Sequence, residues 1–233
     1  MKSMGWQMAL AGLFLSVGAT FGEAAALDSD SDGIPDQLEC RLGTNPNAAE
    51  KLEPVWENAK SAAADPARDI RKILLGNSAG NRYLWVLEFA ADFPLTNTNL
   101  TVFVDADNNP QRGQKSKEYL GTDFVMWLSD GGRCCHGYSI PGEGAAPAPT
   151  RFAWLGKRVY LCTDMPLAQE GSRTHCRALA RCEVLEPRTE VSATGWVEIH
   201  GPGETDRAKS AVVAVESEVL DTADSDGDGI ANG

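Results

Sequence analysis

Histidine is scarce in this chain, with three residues in 233, at His136, His175 and His200. None has a carboxylate beside it in sequence, and the bland expectation for each is a surface or capping role. No H-E-x-x-H or phosphate-loop pattern occurs, so two common signatures of hydrolytic and nucleotide chemistry are missing. A C-x2-C pair is also missing, which removes the usual spacing mark of a zinc site from Cys134, Cys135, His136, His175 and Cys176. Basic residues are outnumbered, 21 Lys and Arg against 33 Asp and Glu, for a formal net charge of −12. Without a cationic stripe to meet phosphates, nucleic acid is excluded as an expected partner. Long apolar runs are confined to the first residues, and long helical periodicity is absent. A membrane-spanning segment is therefore not expected in the mature chain.

The acids that are present fall in register. Asp28-Ser29-Asp30-Ser31-Asp32-Gly33-Ile34-Pro35-Asp36-Gln37-Leu38-Glu39 places carboxylates at positions one, three, five, nine and twelve with glycine at six. That is the spacing of an EF-hand calcium loop, in which position seven donates a backbone carbonyl. The expected ligands are Asp28, Asp30, Asp32, the Ile34 carbonyl, Asp36 and a bidentate Glu39. A hard cation that takes six to eight oxygens explains why acids alternate along an extended chain and then turn on a glycine. A second copy, Asp224-Ser225-Asp226-Gly227-Asp228-Gly229-Ile230-Ala231-Asn232, repeats the offsets near the end of the chain. It nominates Asp224, Asp226, Asp228 and Asn232, and stops before a twelfth ligand. The competing expectation for both tracts is a solvated acidic linker. Composition explains their charge but not their shared register.

Residues 1–26 have the layout of a secretory leader: Lys2, an apolar stretch from Met8 to Ala19, and small residues at Ala24, Ala25 and Ala26. The expected product is a secreted, extracellular or cell-surface protein of bacterial-type export. All six cysteines, Cys40, Cys134, Cys135, Cys162, Cys176 and Cys182, follow this leader. In an oxidising compartment disulfides are the default expectation, and six thiols allow about fifteen pairings.

Between the acidic segments the apolar pattern is that of strands. Strands are expected near residues 70–75, 83–90, 100–105, 123–129, 151–154, 158–162, 176–185, 195–200 and 211–219. Short strands separated by Gly, Pro and Asn turns predict an all-β fold, an antiparallel β-sandwich with short irregular calcium-binding segments at both ends. The expected division is a calcium repeat at 27–50, a linker or short helix at 51–68, a sandwich at 69–220 and the start of a second repeat at 221–233. Residues 142–150, rich in Pro, Ala and Gly, are expected to form a loop.

Within the sandwich, Asp105, Asp107 and Asn109 alternate at a strand end, and Asp123 arrives on the next strand. Two readings stand level: a second cation site, or an Asx-type turn in which these side chains cap backbone groups. Trp85, Trp127, Trp154 and Trp196 lie in expected strands. Most are assigned to packing, with Trp127 and Trp154 the candidates for an exposed ligand platform.

The stretch Asp28 to Pro46, DSDSDGIPDQLECRLGTNP, resembles the bacterial thrombospondin type 3 repeat, and the ending DTADSDGDGIANG looks like the start of another. Pro35 separates the loop from a true EF-hand, because proline cannot donate a hydrogen bond to a paired loop. The segment Leu100 to Gly113, LTVFVDADNNPQRG, followed by Gly121-Thr122-Asp123-Phe124, resembles the DOMON-like and family 9 carbohydrate-binding β-sandwiches, with Arg112 where threonine is common. The resemblance extends to a hairpin at Arg151 to Leu161. These resemblances imply a calcium-binding, non-catalytic extracellular protein whose sandwich takes carbohydrate or a matrix or cell-surface ligand. The alternatives are a calcium-stiffened spacer or adhesion segment, or the accessory part of a larger secreted hydrolase.

Overall fold

The computed structural model describes residues 27–59, 64–77, 82–114, 120–129, 134–139, 146–148, 150–170 and 173–201. Residues 1–26, read as a leader, the strand expected at 211–219 and the second acidic copy, with Asp224, Asp226, Asp228 and Asn232, lie outside the described residues. The elements are α1 (Asp36–Leu42), β1 (Glu53–Glu57), β2 (Ile70–Asn77), β3 (Arg82–Phe89), β4 (Thr98–Asp105), β5 (Phe124–Ser129), β6 (Cys134–Ser139), β7 (Ala146–Ala148), β8 (Thr150–Leu155), β9 (Arg158–Asp164), β10 (Gln169–Glu170), β11 (Arg173–Val184), β12 (Thr189–Ala193) and β13 (Val197–Gly201). Every strand pair is antiparallel.

One sheet runs β1-β2-β3-β9-β8, and the other runs β10-β11-β4-β5-β6-β7 with β12 and β13 also paired to β11. The two sheets enclose a shared apolar layer. Ile73, Leu75, Trp85, Leu87, Val159 and Leu161 from the first sheet meet Leu100, Val102, Phe124, Met126, Leu128 and Ile199 from the second. An all-β sandwich is therefore the observed architecture.

Several stretches differ from expectation, among them β6, β10 and β12, which arise where no strand is expected from the sequence. Residues 51–68, read as a linker or short helix, contain strand β1, which pairs with β2, and, among the described residues, a 3-10 turn at Pro66–Arg68. Asp65 starts that turn by accepting the Ala67 N–H at 3.0 Å. Residues 142–150, read as loop, contain β7, which pairs with β6 through Gly137, Tyr138 and Ser139. A three-residue edge strand carrying Pro147 has too little alternation to announce itself.

β3 explains a feature of the sequence that period-2 patterning misses. Tyr83, Trp85, Leu87 and Phe89 face the inter-sheet core, while Leu84 and Val86 are buried on the opposite face. β9 repeats this, with Val159 and Leu161 inward and Tyr160 and Cys162 outward. An antiparallel sheet normally leaves one face to water. Here the outer face is covered by the acidic N-terminal segment, whose Ile34 and Leu42 are fully buried with Leu84, Val86, Ala153, Tyr160 and Cys162. The segment forms a third layer on the first sheet and is not a detached repeat.

Its anchoring is also polar. α1 ends on Gly43 in a left-handed conformation, φ 75°, and the Gly43 and Thr44 N–H groups both donate to the Glu39 carbonyl at 2.7 and 3.0 Å. Only glycine takes that φ readily, which is why the helix stops there. Arg82 on β3 donates to the Gly43 carbonyl, and Arg151 on β8 reaches the Leu42 carbonyl at 3.5 Å. Cationic donors thus meet carbonyls that the helix leaves without intrahelical partners.

Candidate metal centre

The acidic loop is shaped by its own carboxylates. Asp28 accepts the N–H of Ser31 at 2.8 Å and of Gly33 at 3.0 Å, one on each oxygen. Gly33 has φ 89°, which a side-chain residue adopts only with strain. Asp32 accepts the Ile34 N–H at 2.7 Å and, through its other oxygen, the Glu50 N–H at 2.9 Å. This second bond draws a residue 18 positions further along the chain into the loop.

Two groups of potential ligand oxygens result, Asp28 with Asp30 and Asp32, and Asp32 with Glu39 and Glu50, each with its atoms within 4.8 Å of one another. Asp32 belongs to both. Glu39 is fully buried, and neither of its carboxylate oxygens has a hydrogen-bond partner; Asp30 Oδ2 is likewise buried without one. Burial, followed by the charges of Asp30 and Asp32, pushes the Glu39 carboxyl up to about 7, with Glu50 partly offsetting the rise. Burial and then Asp32 also raise Asp30. A buried carboxylate without donors is costly, and a cation of the calcium class fits the donor set, which is all oxygen.

One of the expected ligands takes another position. Asp36 turns back on Ser29, accepting its N–H and its hydroxyl, each at 2.7 Å, and so pins the loop entrance. Ile34 buries its side chain against the first sheet, which leaves its backbone carbonyl as its one ligand group. Glu50 is the residue that spacing did not nominate. It lies beyond the twelve-residue loop, and only the fold-back of the chain brings it near Glu39.

The Asp105 to Asp123 cluster is organised differently. Asp105, fully buried, accepts Arg177 Nε at 2.9 Å and Nη2 at 2.5 Å on one oxygen and the Asn109 N–H at 2.8 Å on the other. Asp107 accepts the Asn109 N–H at 3.0 Å, Asn109 accepts Gln111 N–H at 3.0 Å, and Asp123 Oδ2 accepts Ala106 N–H at 2.9 Å. Asp105, Asp107 and Asp123 converge within 4.8 Å, while Asn109 faces along its own turn. Burial is the main cause that raises both Asp105 and Asp123, with Arg177 opposing it at Asp105. This geometry favours the Asx-turn reading, with a guanidinium supplying the counter-charge.

Trp127 is 37% exposed on the outer face of the second sheet, with its indole N–H donated to Asn99. Trp154 is half-buried, stacked on Phe152 at 5.9 Å, and the Arg41 guanidinium sits 5.4 Å from its ring centroid. Of the two expected platform residues, Trp127 presents the more open ring. Trp85 is core, and Trp196 lies under Arg177 at 5.1 Å.

Cys40, Cys162, Cys176 and Cys182 are free thiols, so the expected disulfides find no pair among the described cysteine side chains. Cys162, Cys176 and Cys182 are buried apolar residues, and burial pushes each thiol up to about 12. The chain also carries Gly76-Asn77-Ser78-Ala79-Gly80, which satisfies G-x-S-x-G. A nucleophile elbow joins a strand to a helix, whereas this pentapeptide joins the antiparallel strands β2 and β3. Gly76 and Asn77 belong to β2, and Ser78, Ala79 and Gly80 lie outside the described residues.

Fold and site together define a three-layer β-sandwich with a docked acidic loop. No protein-family model matches the chain, and neither a curated protein nor a solved structure matches it. Among the described residues no helix is long and apolar enough to cross a membrane.

Proposed function

We propose that this is a secreted, non-catalytic calcium-binding protein in which the N-terminal loop holds a calcium ion and the sandwich binds an extracellular ligand, with carbohydrate the leading class. Asp28, Asp30, Asp32 and Glu39 are the side-chain ligands, the Ile34 carbonyl contributes from the backbone, and Glu50 joins from the following segment. The observation that carries the metal assignment is Glu39, buried with both carboxylate oxygens unpartnered. A calcium ion would supply the positive charge these oxygens lack and would fasten the third layer to the first sheet.

The export assignment is supported by the leader pattern at residues 1–26. The carbohydrate assignment is supported by the resemblance of residues 100–124 to sugar-binding sandwiches and by the exposed ring of Trp127. Calorimetric titration of the mature chain with calcium tests the first claim: the heat of one ion should disappear in Asp32→Ala. A glycan array tests the second, where binding that is lost in Trp127→Ala supports a sugar module. Calcium-dependent rigidity without any glycan ligand would support the spacer alternative instead.

A further inference from the structure

Two of the three histidines meet in the fold. β10 and β13 pair with opposite edges of β11 at Thr174, which faces Gln169 on one side and Gly201 on the other. In the β11 and β13 register His175 stands directly opposite His200. Their rings stack with centroids 4.6 Å apart and an interplanar angle of 16°. Glu170, from β10, aims one carboxylate oxygen at both: Oε2 lies 3.4 Å from His175 Nδ1 and 3.9 Å from His200 Nδ1. All three residues offer a ligand atom within 4.8 Å of one another.

The donor set is two imidazoles and a carboxylate, the composition that suits zinc-class cations and not calcium, which takes oxygen ligands. The spacing suits it as well. A tetrahedral ion bonded at about 2.0–2.1 Å holds its ligand atoms roughly 3.3 Å apart, close to the 3.4 Å from Glu170 to His175. Bringing His200 in from 3.9 Å requires its half-exposed ring to turn out of the near-parallel stack on His175, because the Nδ1 lone pair lies in the ring plane. The supporting atoms are also in place. The Asn108 amide lies 2.7 Å from His175 Nε2, and an Asn amide turned by 180° presents its oxygen at the same point. That oxygen accepts Nε2–H and leaves the Nδ1 lone pair for a metal, the usual orienting bond of a ligating histidine. Arg173 donates to the His200 carbonyl at 3.0 Å and fixes that strand end.

We propose that Glu170, His175 and His200 form a binding site for a zinc-class divalent cation, positioned by Asn108 and separate from the acidic loop. Three protein ligands leave a fourth position for water or for an anionic group of a bound molecule. The site does not depend on the calcium assignment, since its ligands come from the second sheet.

The test is calorimetric titration of the mature chain with Zn2+ in saturating calcium, in a Cys40→Ser background that removes the exposed thiol. Cobalt(II) is titrated in parallel, read by its visible absorption. One ion should bind, with His200→Ala weakening it at least tenfold and Asn108→Ala weakening it by about tenfold or more, as orienting partners do. Glu170→Gln should weaken zinc binding and diminish the cobalt band. His200 is half-exposed, so thermal melting of its variant should match the parent. The absence of any zinc heat, or equal zinc affinity in the parent, His200→Ala and Glu170→Gln, would overturn the proposal. Zinc held by other groups, such as Cys134 and Cys135, would give that second result.

Discussion

The two acidic clusters start from nearly the same sequence device, aspartates on alternate residues, and meet their charge in opposite ways. Around Asp105 the protein supplies the compensation: the Arg177 guanidinium and the backbone N–H groups of the turn occupy the inward oxygens. Around Glu39 it supplies no guanidinium and no backbone N–H to the carboxylate, whose burial, followed by the charges of Asp30 and Asp32, pushes its proton affinity upward. The first cluster is complete as folded. The second, on the proposed reading, is completed by a cation from solution, and that contrast can be broken by substitution.

The largest effect expected from breaking this contrast is at Arg177. Arg177→Met leaves Asp105 buried without its partner, and loss of one member of a buried pair costs about 3–5 kcal/mol. Urea denaturation should show that loss equally with and without calcium; a loss that calcium repairs would mean that the Asp105 cluster also takes a metal. Next is the apolar seam of the third layer. Leu42→Ala should cost about 3 kcal/mol through the cavity it leaves and should weaken calcium binding as well, because the helix that presents Glu39 loses its footing. A variant with parental calcium affinity would show that the loop is preformed without docking.

A smaller effect follows from Glu39 itself. With the folded carboxyl at about 7 against an ordinary 4.5, the calcium-free folded state keeps a proton that the unfolded chain releases. Its stability should therefore fall as pH rises from about 4.5 to 7 and level off above. Glu39→Gln should remove this slope and stabilise the calcium-free protein at pH 8 by roughly 1–3 kcal/mol. Urea midpoints measured in chelator across this range check the sign. The smallest effect concerns the thiols: iodoacetamide on the native protein should modify Cys40 and spare Cys162, Cys176 and Cys182, whose burial keeps them protonated. Peptide mass mapping reads this directly.

Most strands were legible because their inward residues alternate: Leu100, Val102 and Val104 on β4, or Phe124, Met126 and Leu128 on β5. The edge pieces β1 and β7 were not, since Pro54 and Pro147 sit where a strand signal is sought. The acidic loop was legible from Asp28 to Glu39 because its carboxylates are local in sequence. Its docking was not, although the double-sided burial of Leu84 and Val86 in β3 was the trace it left in sequence. Glu50 and the His175 and His200 pair escaped for the same physical reason. Each depends on chain reversal or strand register, and His175 lies just ahead of the strand expected at 176–185.

The central claim is that calcium completes the Glu39 cluster and fastens the third layer. The most direct measurement is tryptic cleavage after Arg41, on α1, followed by mass spectrometry in calcium and in chelator. The account predicts that calcium protects this bond in the parent and in Asp107→Asn, and that protection vanishes in Glu39→Gln. Equal cleavage of the parent in calcium and chelator, or protection that survives Glu39→Gln and is lost in Asp107→Asn, would contradict it.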